Sequence, residues 1–336
     1  MTSIIRYTIG VLLLWAIGSC KRQTLEHFHY SEAEVPITID WSQSQLPDNY
    51  VENISIYFYS KEGGLPYITI TGQIDSTAVT LPVGYYSVII FNDAIGNIGG
   101  TNFNDDDYYS LFSANTIADT LSSDSYYELQ DGDMIIEEHH KMAVWQIDEF
   151  AVTTDAPMCS CIAEGYDDES LYSTATQPLL NIQPMPITAT NTINVRVINL
   201  INASSIEGAL IGSASGAYLA TNSRISTLEG SNVYLFDFTS RTYDTDSEDG
   251  IISAEVITFG KQPTSDASYQ LELNIILASG VLASFEYDVT EQVINSDELN
   301  IVIDLTDQEN QVELPELATS SFGVDDWGDG NHFELL

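Results

Sequence analysis

Apolar and polar residues alternate in short runs along most of this chain. "VPITIDW" (35–41), "NISIYFY" (53–59), "PYITITGQ" (66–73) and "YYSVIIFN" (85–92) are rich in β-branched and aromatic residues. Their period is two, and Gly, Pro, Asn and Asp break them, which predicts β-strands. "KEGGLP" (61–66) reads as a turn between two of them. The same grammar returns after residue 190 in "TINVRVINL", "NVYLFDFT", "GIISAEVITFG", "SYQLELNIIL", "VLASFEYDV" and "LNIVIDL". In the first of these, Ile193, Val195 and Val197 share one face while Asn194 and Arg196 take the other. No segment sustains helical periodicity over three turns. The pattern predicts an all-β chain of two antiparallel sandwiches, over 35–165 and 193–306, joined by a proline-bearing junction at 166–192. "GTNFNDDDYYSLFSANT" (100–116) reads as a long polar insertion in the first sandwich, either a functional loop or a surface one. Residues 307–336 form an acidic tail whose Phe322, Val324 and Trp327 would not be needed in solvent, so part of it is expected to dock.

The first residues follow another pattern. Arg6 precedes a mostly apolar run from Tyr7 to Ile17 and two small residues. This run is shorter than the roughly 20 residues a spanning helix needs and fits a secretory signal peptide over 1–19. Ile17, Gly18, Ser19 and Cys20 resemble a bacterial lipobox, in which the cysteine becomes the acylated first residue of the mature chain. Cys20 is therefore the expected lipidation site, carrying diacylglycerol and an acyl chain, with 20–34 as a tether. Two or three acyl chains hold a protein to a membrane firmly, where one alone does so marginally.

Charge narrows the partners. The 336 residues carry 50 acids and 9 bases, a formal net charge of −41, which disfavours nucleic acid and anionic lipid headgroups. Charged residues are nevertheless only 18% of the chain and hydrophobic ones 44%, so the acid is spread over a folded surface.

Candidate chemistry is sparse. Cys159 and Cys161 in "MCSC" share a face about 6.6 Å apart if extended. That is near the upper limit for a disulfide, so a strained disulfide, free thiols and metal ligation all stay open. No P-loop, dinucleotide turn or HExxH helix occurs, and "GSASG" (212–216) has Ala214 where a nucleophile elbow has serine. The chain is read as a non-enzyme without a cofactor or an assigned metal. Adjacent His139 and His140 would point to opposite faces of a strand. His27 and His29 share a face but lie in the tether. The sharpest metal pattern is "DTDSEDGIISAE" (244–255), with Asp244, Asp246, Glu248 and Glu255 at the first, third, fifth and twelfth places of a calcium loop. Its glycine is one place late, so an acidic hairpin turn is the competing reading.

Several stretches together resemble one family. The lipobox, "ITIDW", "ISIYFYSKEGG" and "LPVGYYSVIIFN", then "INVRVINLINASSIEGALIGSASGAYLATNS" (193–223) and "SFGVDDWGDG" (321–330), resemble the Bacteroidota fimbrillin-related lipoproteins of the FimB-type minor-subunit and anchor group. The resemblance implies two tandem transthyretin-like sandwiches held at the outer membrane by lipid and displayed at the cell surface. It implies an anchor or accessory subunit of a type V fimbria that engages a fimbrillin-like subunit by strand exchange. No Arg or Lys lies between Arg22 and Lys61, so the cut that exposes the groove in stalk subunits is absent. It also implies O-glycosylation at Ser76 in Asp75-Ser76-Thr77 and at Thr120 in Asp119-Thr120-Leu121. The competing function is a surface lipoprotein outside any pilus that binds glycan or host protein through tyrosines such as Tyr108 and Tyr109.

Overall fold

The computed structural model describes residues 32–92, 98–137, 139–153, 179–226, 231–307, 309–315 and 332–334. In the first sandwich, a three-stranded sheet runs in the order β10 (Leu180–Ile182), β1 (Glu32–Ile39), β4 (Ser76–Pro82). It faces a five-stranded sheet ordered β11 (Met185–Pro186), β9 (Ala143–Val152), β5 (Gly84–Asn92), β2 (Ile54–Ser60), β3 (Tyr67–Thr71). Strand β1 alternates as its sequence predicts. Ala33, Val35, Ile37 and Ile39 go inward against Ile54, Ile56, Phe58, Val88 and Ile90.

Alternation fails in the five-stranded sheet, because both of its faces are covered. Tyr57, Tyr59, Ile89, Phe91 and Val144 point away from the first core and enter a second one with Phe112, Ala114, Ala217, Leu219 and Phe259. Tyr57 is 1% exposed and packs 4.9 Å from the Phe112 ring. The near-continuous apolar runs of β2 and β5 are what a doubly buried strand requires.

The cover is a four-stranded sheet, ordered β15 (Ser223–Ile225), β14 (Gly216–Tyr218), β7 (Ser113–Thr116), β6 (Thr101–Asn104), built from both halves of the chain. Residues 100–116, read from sequence as a polar loop of the first sandwich, are thus the β6–β7 hairpin, and β7 pairs with β14 through Ala114↔Ala217. The "GSASG" stretch has a structural explanation here. Gly212 takes φ +102°, and a Cβ on Gly216 would stand 2.4 Å from the Ala114 carbonyl, so glycine permits the close approach of the two halves.

In the second sandwich, β17 (Ser240–Tyr243), β18 (Gly250–Thr258), β12 (Ala189–Ile198) and β21 (Asn300–Leu305) form one sheet, with β22 (Val312–Glu313) also beside β12. The facing sheet is ordered β23 (His332–Glu334), β20 (Leu282–Asp288), β19 (Gln270–Leu277), β13 (Ala203–Ile211), β16 (Ser231–Asp237), β8 (Asp133–Ile135). Ile193, Val195 and Val197 of β12 are fully buried, facing Leu271, Leu273 and Ile275 of β19, while Asn194 and Arg196 face out. A short helix, α1 (Thr290–Asn295), seats Val293 on this core. Most ladders are antiparallel; β1–β10, β12–β21, β12–β22 and β8–β16 are parallel. Strand β8 comes from the first half of the sequence, a second interlock between the halves. Part of the acidic tail docks, since Val312 and Leu314 are buried and β23 pairs with β20. Phe322, Val324 and Trp327 lie outside the described residues.

Candidate functional site

Strand order and side-chain exposure single out the outer edge of the first sandwich. Gly63 and Gly64 adopt φ +92° and +99°, which only glycine takes at little cost, and they reverse the chain from β2 into β3. The ladder Ile54↔Thr71 to Phe58↔Tyr67 pairs one side of β3 with β2. Its other side ends the sheet, leaving backbone N–H and C=O groups unpaired among the described residues.

The side chains at this edge are unusual for an exposed strand. Tyr67, Ile68 and Ile70 are 43%, 48% and 52% exposed, and Leu65 in the turn is 74% exposed. "YITIT" carries no charge and no proline, the usual guards of a sheet edge. Tyr67 meets Tyr86 edge to face at 6.0 Å, and burial pushes the Tyr86 phenol up to about 12. Ile68 lies opposite Tyr57, on the face that the β6–β7 hairpin covers farther in. Lys61, which opens the turn into β3, is engaged elsewhere. Lys61 Nζ donates to Asp148 Oδ1 at 2.7 Å and sits 5.8 Å over the Tyr109 ring. That hydrogen bond holds the Asp148 carboxyl below its usual range, with a second from Ser87.

The tyrosines of the β6–β7 hairpin divide. Tyr108 is 62% exposed, but Tyr109 packs 5.7 Å from Tyr59, whose hydroxyl donates to the Asp106 carbonyl. Tyr109 is therefore part of the cover, not the exposed platform that the competing reading, binding of glycan or host protein, would need.

Strand geometry keeps the calcium-pattern carboxylates apart. Asp244, Asp246 and Glu248 lie in the β17–β18 turn, where Asp244 accepts from Arg196 Nη2 at 2.7 Å and Asp249 Oδ1 accepts the Asn199 N–H. Strand β18 runs on from Gly250, so Glu255, opposite Thr192, stands about 16 Å from the turn. Among the described residues no three His, Cys, Asp or Glu side chains lie close enough to hold a metal ion. Ser76 opens β4 opposite Thr38, and Thr120 follows the Ala118–Ile136 bridge; both are exposed. Cys20, Cys159 and Cys161 lie outside the described residues. No helix among the described residues is long and apolar enough to cross a membrane.

The sequence does not distinguish β3 as an edge, because strand order decides which strand is last. The available signal was the lack of any charge from Leu65 to Ile74.

Stacked sheets of this kind, interlocked through a shared four-stranded sheet, define a two-sandwich all-β protein. The fold is shared with a Bacteroides ovatus protein described as a putative adhesin, at 15% identity and a TM-score of 0.57, covering 87% of this chain and 95% of that one. The fimbrial anchor protein Mfa2 from Porphyromonas gingivalis also matches, at 11% identity and a TM-score of 0.40, covering 81% and 89%. The all-β sandwich architecture expected from the sequence is thus borne out in the fold. A family model matches residues 19–234, and the chain belongs to that family, described as a domain of unknown function, DUF5119. No curated protein matches the sequence.

Proposed function

We propose that this is a non-catalytic, lipid-anchored protein of the outer membrane, held by acylated Cys20, that serves a type V fimbria as anchor or accessory subunit. It engages an extended segment of a fimbrillin-like partner along the free edge of β3. The observation that carries this reading is that edge itself: unpaired backbone, no guarding charge, and Tyr67, Ile68 and Ile70 all more than 40% exposed. An added strand would satisfy the backbone groups while alternate side chains cover the isoleucines. Strand β1 fills the slot between β10 and β4 with its own Val35 and Ile37, so the three-stranded sheet offers no vacant position there.

A photo-cross-linking residue at Ile70, with one at Thr242 on β17 as control, tests this on intact cells. Capture at position 70 of a β-sandwich pilin subunit, mapped by mass spectrometry to one extended segment of that subunit, is expected, with little capture at 242. Cys20→Ala should release the complex from the membrane fraction. Equal capture at both positions, or none at 70 from a surface-exposed wild type, would defeat the assignment.

A further inference from the structure

At the opposite edge of the same sandwich, the chain crosses between the two facing sheets, from Ile182 at the end of β10 to Met185 at the start of β11. Facing sheets lie about 10 Å apart, so the link is nearly fully extended. Beside it opens a cleft of about 590 Å³, within the size range of small-ligand sites. Trp145 and Met185 line it from the five-stranded sheet, and Thr38, Asp40, Asn181 and Gln183 from the β1–β10 pair and its continuation.

The polar four are ordered by the ladder. Ile39 pairs with Ile182 and both are buried, so Thr38 and Asn181, paired one step earlier, face outward. Thr38 Oγ1 bonds Asn181 Oδ1, and Gln183 Nε2 donates to Asp40 Oδ2 at 2.8 Å. Asp40 Oδ1 accepts the Ser42 N–H at 3.0 Å. Each contact fixes a planar side chain while using only part of its hydrogen-bonding capacity: a carboxamide has two donors and two acceptor lone pairs. Trp145 is half-buried, its inner part packed against the first core.

We propose that this cleft binds a neutral sugar residue of a glycan. The apolar face of the sugar ring lies on the indole, and neighbouring hydroxyls bond to Asn181, Gln183 and Asp40. A sugar hydroxyl both donates and accepts, which matches alternating amides and carboxylate. The aromatic ring supplies contact area at low entropic cost. At a net charge of −41 the protein repels acidic glycans and leaves neutral ones unaffected.

The test titrates the full protein with methyl glycosides of glucose, galactose, mannose and N-acetylglucosamine, read by tryptophan fluorescence and saturation-transfer NMR. One of them should bind saturably. Gln183→Ala, at an exposed position, should weaken it about tenfold, the effect of one lost polar contact. Trp145→Leu should abolish the NMR transfer, with circular dichroism checking its fold, and polygalacturonate should not compete. No saturable binding by any of the four, unchanged affinity in Gln183→Ala, or preference for polygalacturonate would overturn the proposal. Partner capture at β3 is a separate readout, so either assignment can fail without the other.

Discussion

Strands β3 and β17 occupy equivalent places, each ending a sheet of its own sandwich, yet their surfaces differ. β17, "SRTY", is exposed throughout, and Arg241 Nη1 donates to the Ala203 carbonyl. β3, "YITIT", has no charge. The difference follows from the sheets behind them. Among the described residues the sheet of β17 has one open face, and its central strand β12 alternates buried and half-buried residues. The sheet of β3 is buried on both faces, and its apolar character runs out to the edge, past the point where the β6–β7 cover ends. Exposed isoleucines on β3 are thus the continuation of a doubly buried sheet.

The contrast breaks most visibly at the cover. Phe112 is fully buried and its ring contacts Tyr57, Phe91 and Phe103. Phe112→Ala should cost about 3–5 kcal/mol, as large aromatic truncations in a core do. Val302→Thr on β21, where the side chain is 49% exposed on the open face of the second sandwich, should stay within about 0.5 kcal/mol. Urea melts of the two variants decide it. Equal losses would mean that the β6–β7 hairpin does not cover the five-stranded sheet.

The same contrast marks what the sequence made legible. One-face-buried strands such as β12 and β1 were readable residue by residue, because a single buried face imposes period two. Strand β2 was recognised as a strand but not as doubly buried, since Tyr57 and Tyr59 pass for a polar face in "ISIYFYS". The shared sheet was not legible at all. "TNFN" and "SANT" are short and polar, and the pairing of the second with β14 joins residues about a hundred positions apart. At the candidate edge, "YITIT" was visible as a strand, but its terminal place depends on sheet order, which local pattern does not encode. The calcium spacing assumes a loop, whereas extended backbone from Gly250 carries Glu255 away from the turn, and the stretch is the acidic hairpin turn that the sequence also offers.

A smaller effect is expected where the cover meets the second core. His139 is buried, 4.9 Å from the Phe259 ring and 5.6 Å from that of Tyr234. Its Nδ1 lies 3.4 Å from Thr101 Oγ1. Among the described residues, His139 Nε2 and Tyr234 Oη are buried without a hydrogen-bond partner. Burial pushes the imidazole down to about 4, and the charge of adjacent His140 acts the same way. Between an unfolded value near 6.5 and that folded one, the unfolded chain binds the extra proton. Stability therefore falls as pH drops through this window, by about 3 kcal/mol in all. Carboxylates also titrate there, so the informative quantity is the difference between wild type and His139→Phe. The variant should lose the part of the slope between pH 6.5 and 4 that belongs to this ring, and identical slopes would remove His139 as its source.

The smallest effect on folding is the one that separates edge from core. Ile70→Thr keeps a β-branched residue on a half-exposed, singly paired strand and removes little buried area, so its melt should stay within about 0.5 kcal/mol of wild type. Capture of the proposed fimbrillin-like partner should nevertheless weaken about thirtyfold in Ile68→Thr/Ile70→Thr, because covering two half-exposed isoleucines is worth about 1 kcal/mol each. The corresponding change on β17, Tyr243→Thr, removes a side chain that is 45% exposed and should alter neither melt nor capture. If the β3 variant instead loses several kcal/mol of stability, the isoleucines are part of the core, and β3 is then no more available to a partner than β17.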